Sequence, residues 1–172
     1  MLKKRFDGSL RSFWTVTQSQ IYRELHGLER DGLVAVDDVP QDGKPARKVY
    51  SLTVSGRKAL ARWLVEAPEP LMLRHPLLLK FVFAADLPPR DLDGLLERYA
   101  DGVKASRRDY VSRLDDRNIF SLARSRHEES LWRLAIEHGI AWCDMELAWL
   151  AKARREAVRQ HKGTKRWSQK AK

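Results

Sequence analysis

The sequence predicts a mainly α-helical chain with one small β-hairpin in its first third and long helices in its second half. Three observations predict it. A helix with start and stop signals runs between Thr17 and Gly32, two short β-prone runs flank a Pro/Gly-containing stretch, and apolar residues recur at helical spacing beyond Pro88.

The first helix is bounded by its own residues. Thr17 with Gln20 three positions on forms a capping box, in which hydroxyl and amide satisfy backbone donors that the first turn leaves orphaned. Val16 and Ile21 stand where a hydrophobic staple fixes the entry of the chain, and Gly32 ends the helix where a left-handed residue is cheap. Ile21, Leu25 and Leu28 fall on one face and are expected to be buried. Gln18, Ser19, Arg23, His26 and Arg30 then face outward. Taken alone, such a face reads first as simple solvation, though it can also hydrogen-bond phosphates and base edges in a major groove.

Leu33 to Val36 and Val49 to Leu52 read as strands, with Pro40, Gly43 and Pro45 between them. The spacing predicts a hairpin whose loop, Asp37 to Lys48, is longer than a tight turn requires. Lys44, Arg47 and Lys48 lie at or near its tip, within reach of a phosphate backbone. Thr53 caps a second helix carrying Leu60, Trp63 and Leu64, which stops before Pro68. A helix beside a basic hairpin is the outline of a winged helix-turn-helix with a small β-hairpin wing.

The residues here resemble a known family. Gln20-Ile-Tyr-Arg-Glu-Leu-His-Gly-Leu-Glu-Arg-Asp-Gly-Leu33, the Arg47-Lys-Val-Tyr50 strand, Leu52-Thr-Val-Ser-Gly56 and Leu60-Ala-Arg-Trp-Leu64 together look like the PadR family of bacterial transcriptional regulators. Leu78-Leu-Lys-Phe81 and the helical second half are similar to that family's C-terminal dimerisation region. The resemblance implies a homodimer whose winged helices bind a roughly palindromic double-stranded DNA operator, as a repressor that a small molecule relieves. Carried over by position, the helix from Gln18 to Asp31 is the recognition helix and Lys44 to Lys48 the wing. Gln18, Ser19, Gln20, Tyr22 and Arg23 would then lie at or near the groove, Tyr22 alternatively packing inward beside Leu25. Lys44, Arg47 and Lys48 would hold phosphates, and Tyr50 is expected to be structural or to touch the backbone.

The opening segment places Leu2, Phe6, Leu10, Phe13 and Trp14 at near-helical spacing among Lys3, Lys4, Arg5 and Arg11. In the resembled family the counterpart of Leu2 to Phe6 lies in the second helix, with another before it. The expectation is a winged domain lacking its first N-terminal helix, because the true start lies upstream of Met1 or because the protein is a shortened member; the first is preferred.

Composition narrows the class. A hydrophobic fraction of 43% over 172 residues supports a real core. A single cysteine, Cys143, excludes an intramolecular disulfide and suits a reducing cytoplasm. Charges interrupt every apolar run well before the roughly 18 residues of a membrane span. The net charge of +10 is uneven: residues 1–62 carry +5, residues 63–151 carry −3 and residues 152–172 carry +8. A basic first part and an acidic middle fit a chain with one face toward a polyanion. The basic tail, residues 159–172, is expected to be disordered, either aiding DNA binding or acting as a solubiliser.

Past Pro68 and Pro70, Leu71 to Ala85 is an apolar block, read as a bridging helix from about Pro76 that packs inside. Leu92, Leu95/Leu96, Tyr99, Val103, Tyr110 and Leu114 make one apolar stripe on a long helix. The last helix, about Arg124 to Val158, carries two. Leu131, Ala135, His138, Trp142, Met145 and Trp149 form one, and Trp132, Ile136, Ile140, Cys143, Leu147 and Leu150 the other. One stripe can bury within the subunit and the other against a second copy, so dimerisation is expected through Leu131, Ala135, Trp142, Met145 and Trp149. Gly139 inside this helix suggests close helix approach or a bend.

No catalytic constellation is visible. The five histidines lack ligand spacing, no nucleophile elbow or phosphate-cradling loop is present, and neither enzyme activity, metal nor cofactor is expected. Trp132, Trp142 and Trp149 are compatible with an aromatic or cationic effector's pocket, or with an aromatic-rich interface. The organisation expected is a winged domain over residues 1–67, a linker and bridging helix over 68–90, a helical dimerisation domain over 91–158 and the tail. The alternative from another class is a helical dimerisation or adaptor protein that has lost specific DNA binding. An RNA binder is disfavoured, since no aromatic platform is visible.

Overall fold

The computed structural model describes residues 17–41, 43–70 and 74–167, so the expectations for the opening segment fall outside the described residues. The elements are α1 (Gln18–Arg30), β1 (Val34–Gln41), β2 (Lys44–Leu52), α2 (Val54–Val65), α3 (Pro76–Val82), a 3-10 turn (Ala84–Asp86), α4 (Pro89–Asp115), α5 (Arg117–Phe120) and α6 (Arg126–Trp167). Two compact units result, one of residues 16–72 and the other containing residues 73–172.

In the first unit, local chemistry sets both ends of α1. Thr17 N–H donates to Gln20 Oε1 at 2.7 Å while Gln20 N–H donates to Thr17 Oγ1 at 3.3 Å, the reciprocal pair of a capping box. At the other end Gly32, at φ +69°, lets its N–H reach the Glu29 carbonyl and that of Leu33 reach Leu28. This is a Schellman closure, and it satisfies carbonyls that the last turn would otherwise leave open. Thr53 then ties the start of α2 back to this point. Its hydroxyl donates to the Gly32 carbonyl at 2.7 Å and accepts from Gly56 N–H at 2.9 Å.

The hairpin departs from expectation. Its strands pair from Val34↔Leu52 out to Gln41↔Lys44, leaving two residues to turn, with Gly43 at φ +64°. The long loop expected from Asp37 to Lys48 is therefore mostly strand. Pro40 and Pro45 had argued against pairing there, but they fall where the register shifts between Val39 and Gln41, and such an irregularity tolerates a residue with no N–H.

The core of this unit is thin. Among its described residues Val34 and Gly56 are buried, Ile21 and Leu25 are half-buried, and Leu28, expected inside, is 39% exposed. One two-stranded ribbon between two short helices has little interior to offer. Gly56 is buried because α2 crosses the Leu33 backbone so closely that a Cβ would overlap the Leu33 carbonyl oxygen.

The second unit is an antiparallel pair, α4 against α6, closed by shorter elements. Leu77, Leu96, Ala100, Val103, Tyr110, Phe120, Ile136, Cys143 and Leu150 form one buried cluster. Leu77 brings α3 into this cluster, so the bridging helix belongs to the helical unit and is no independent linker. Its other side is exposed: Leu79, Val82 and Phe83 face outward, against the expectation that the whole block packs inside. Gly139 permits the close approach expected of it, since a Cβ there would overlap the Tyr110 ring. Arg133 closes one end of the unit, lying 3.8 Å over the Phe120 ring and donating to the Leu114 carbonyl at 3.3 Å.

Of the two stripes on α6, the one through Ile136, Cys143 and Leu150 turns inward. Leu131, Ala135, His138, Trp142 and Met145 remain exposed, while Trp149 is half-buried with its ring edge-on to Phe81 at 5.7 Å. Helix α6 continues to Trp167, so residues 159–167 are helical and not a disordered tail; residues 168–172 lie outside the described part. Lys, Arg and Gln are good helix formers, and cations near a helix C-terminus complement its dipole.

A buried polar knot joins three helices. His75 caps α3, its Nδ1 accepting from Leu78 N–H at 3.3 Å, while its Nε2 lies 3.0 Å from Glu146 Oε1 and 3.1 Å from the Tyr99 hydroxyl. An Nδ1 that accepts leaves the ring proton on Nε2, where the Glu146 carboxylate receives it. The Tyr99 phenol is pushed up by burial, with the Glu146 charge adding to the shift.

Candidate nucleic-acid interface

The outward face of α1 is the best-built polar surface of the first unit. Gln18, Ser19, Gln20, Tyr22 and Arg23 are all exposed, Tyr22 included. The same stripe continues along Ser19, Arg23, His26 and Arg30, at i, i+4, i+7 and i+11. At 1.5 Å per residue it runs about 16 Å, roughly the length of five base pairs. His26 and Arg30 were absent from the sequence-derived site, although the periodicity that put Ser19 and Arg23 outward also puts these two there. Arg23 rests 3.5 Å from Glu24 and Arg30 3.4 Å from Asp31. Both pairs are solvent-exposed and cheap to exchange for phosphate. The first turn of α1 holds no acidic residue, so its positive dipole end is not neutralised.

Gln20 has two duties assigned to one amide. Its Oε1 accepts from the Thr17 N–H and hydroxyl at 2.7 and 3.0 Å. The bidentate donor-and-acceptor pairing with adenine needs that same oxygen, so base reading and capping compete at this position.

In the wing, the register separates the basic residues. Arg47 lies opposite Val39 and Lys48 opposite Asp38, so the two, being adjacent on β2, project to opposite faces. Both are exposed. The backbone of Lys44 pairs with Gln41 beside the turn, and its side chain is outside the described part. Lys48 shares its face with Tyr50, whose phenol oxygen is buried without a hydrogen-bond partner among the described residues.

The other expected sites lie in the helical unit. The exposed stripe of Leu131, Ala135, Trp142 and Met145 runs along one face of α6, with Trp149 at its end. The three tryptophans do not converge: Trp132 and Trp149 lie 17 residues apart, about 25 Å along the helix, and Trp149 is engaged with Phe81. Among the described residues no group of His, Cys, Asp or Glu could hold a metal ion, and no helix is long and apolar enough to cross a membrane. The Cys143 thiol is fully buried, and desolvation followed by the Asp144 charge raises it, which makes it a poor nucleophile.

Residues 1–62 match the transcriptional regulator PadR-like family, and residues 73–169 match the virulence activator alpha C-terminal family. A probable transcriptional regulator of Mycobacterium tuberculosis is 46% identical over 69 residues, 40% of this chain and 36% of that protein. The negative transcriptional regulator PadR of Bacillus subtilis is 32% identical over 93 residues, 54% of this chain and 51% of that one. The chain thus spans about a third to a half of the length of these curated relatives. In three dimensions it is similar to Bacillus subtilis PadR in complex with operator DNA, with a TM-score of 0.77 at 24% identity over 90% of this chain and 87% of that one. The complex of the same protein with p-coumaric acid gives a TM-score of 0.72 at 22% identity over 91% and 88%. These likenesses show a shared fold, winged helix first and long helices after. The two matches, end to end along the sequence, make this chain a PadR-like transcriptional-regulator domain followed by a region that belongs to the virulence activator alpha C-terminal family.

Proposed function

We propose that the chain is a dimeric repressor that reads an operator through α1 and releases it when a small molecule binds. The carrying observation is the exposed stripe of Ser19, Arg23, His26 and Arg30 on a helix locked at both ends, beside a basic hairpin, in a PadR-like chain. A capped helix holds its outward side chains in a fixed phase, which base reading requires. Gln18, Ser19, Gln20, Tyr22 and Arg23 face the groove, while Lys44, Arg47 and Lys48 hold phosphates. The repressive sign and the effector come from a relative described as a negative regulator and solved with operator DNA and with p-coumaric acid. Support for a dimer is the exposed apolar stripe Leu131, Ala135, Trp142 and Met145, with half-buried Trp149 at its end, a surface that a single copy leaves wet. On this reading the protein is no enzyme and works in the cytoplasm, where the DNA is.

Fluorescence anisotropy of the full chain with DNA from its own upstream region, against scrambled DNA of equal length, tests the proposal. A control carrying K162Q, K165Q and R166Q removes non-specific attraction by the basic end. Arg23→Ala should cost about 1–3 kcal/mol on native DNA only, whereas Lys48→Ala should weaken both DNAs alike and lower the salt slope by about one. Equal affinity for native and scrambled DNA, lost in the charge-depleted control, would leave a helical dimerisation protein without an operator.

A further inference from the structure

On the outward face of α1, Gln20 is the side chain whose hydrogen bonds fix what it can offer a partner. Its Oε1 receives two donors, the Thr17 N–H at 2.7 Å and the Thr17 hydroxyl at 3.0 Å. A backbone N–H can only donate, so the amide is set with its oxygen toward Thr17, and Nε2 is the half left over. Gln20 is exposed, and among the described residues nothing accepts from that Nε2. The capping box therefore leaves this side chain two hydrogens to offer and no acceptor. Gln18 differs: it is exposed, its side chain makes no hydrogen bond among the described residues, and both halves of its amide stay available. Leaving the cap to read a base would be a losing exchange for Gln20. Oε1 would give up two donors for a single adenine N6–H, and the Thr17 N–H would be stranded at a surface from which DNA excludes water. A donor stripped of amide and water together costs more than a bond between exposed groups returns.

We propose that Gln20 stays in the capping box while α1 is on DNA and reads the operator as a donor only, selecting guanine or thymine, and that the two-sided pairing with adenine falls to Gln18. The major-groove edges set the order of preference. Guanine offers two adjacent acceptors, N7 and O6, and thymine offers one, O4. Adenine sets its N6 donor beside its one acceptor, so an amide that can only donate meets repulsion there. Cytosine presents N4 hydrogens, which such an amide cannot accept. The residue type alone would assign Gln20 to adenine; the cap reverses that assignment. This inference deepens the operator part of the proposed function and rests on the reading of α1 as the helix that enters the groove.

The test is selection from a randomised duplex library by the full 172-residue chain and by its Q20E and Q18E variants. Q20E keeps an oxygen for the Thr17 N–H, since Thr-x-x-Glu is itself a capping box, but it turns only acceptors toward the groove. At one position the wild type should favour guanine over cytosine by about tenfold, with thymine between them. In Q20E that position alone should turn to cytosine, whose N4 hydrogens a carboxylate accepts. The added negative charge weakens every sequence alike and leaves the ranking of bases intact. Q18E should instead alter a position at which the wild type favours adenine. A second measurement needs no DNA: the Thr17 amide should exchange with solvent about tenfold faster in Q20A than in the wild type, and at the wild-type rate in Q20E. Adenine favoured by the wild type at the Q20E-sensitive position, no position altered by Q20E, or unchanged Thr17 exchange in Q20A overturns the proposal. Enrichment of no sequence at all by the wild type would remove operator reading by α1 and this inference with it. A failure confined to the Gln20 position would leave operator reading standing.

Discussion

The two units use apolar residues in opposite ways. In the helical unit nine buried side chains form one cluster, and bidentate ion pairs such as Arg154–Asp93 and Arg107–Asp144 brace its flanks at 2.6 Å. In the winged unit no residue of α1 is buried, and the helix is held by a capping box, a Schellman closure and Thr53. Stability thus comes from packing in one unit and from terminal hydrogen bonds in the other. A reading helix must keep most of its surface free for a partner, so it cannot also be a core helix. The difference is a division of labour between presenting a surface and holding a scaffold.

The sharpest way to break this contrast is Leu150→Ala. At 1% exposure its truncation should cost about 2–5 kcal/mol in urea unfolding, and a loss under 1 kcal/mol would mean the cluster is not what holds the helical unit. Next is Gly56→Ala, where a Cβ would strike the Leu33 carbonyl. It should cost about 1–3 kcal/mol, felt as faster hydrogen exchange in α1 and the hairpin, with α4 and α6 unchanged. Thr17→Ala removes the cap and should cost about 1 kcal/mol. It also removes the hydroxyl's bond to the Gln20 amide oxygen and leaves only the backbone N–H of residue 17 holding it, so improved discrimination at an adenine position would show that capping had been competing with reading.

Acid should act on the helical unit. Hydrogen bonding to Arg154 holds the Asp93 carboxyl below the ordinary aspartate value of 3.8, and Arg107 does the same for Asp144. Because both values are depressed by folding, their contribution is fully present above 3.8 and is lost as pH falls through the lowered folded values. Thermal unfolding followed by circular dichroism should therefore show an acid-side loss that D93N and D144N flatten. Both pairs are exposed enough for solvent to screen them, so the effect should be modest. Smallest of all is Tyr50→Phe. It deletes a buried hydroxyl with no hydrogen-bond partner among the described residues and should be neutral or slightly stabilising by chemical denaturation; a clear loss would reveal a bond to the phenol.

Much of this was legible because short-range chemistry controlled it. The capping box at Thr17, the left-handed Gly32, the Thr53 cap and the two stripes on α6 each follow from residues within one or two turns of each other. Errors arose where the outcome depended on a partner distant in sequence. Prolines 40 and 45 argued for a loose loop, but strand pairing continued past them through a register shift. Leu28 had the right phase to be buried, yet it stays 39% exposed, because among the described residues little packs over it. Its charge suggested that the basic C-terminal stretch would be disordered, yet α6 extends through it to Trp167. In the candidate site, the outward phase of Ser19 and Arg23 was readable from periodicity, whereas the competition between capping and base reading for the Gln20 oxygen depends on the distances around it.

By itself the sequence determined where helices begin and end, which residues share a face and which family the chain resembles, because hydrogen bonds within a turn and the helical period act locally. The tertiary structure alone decided which α6 stripe turns inward, that Arg47 and Lys48 face opposite ways across the wing, that His75 joins Glu146 and Tyr99, and that α3 leaves an apolar groove beside Lys80 and Arg98. Those outcomes depend on which surfaces meet across tens of residues, and burial is a property of the pair in contact, which no single stretch of chain carries alone.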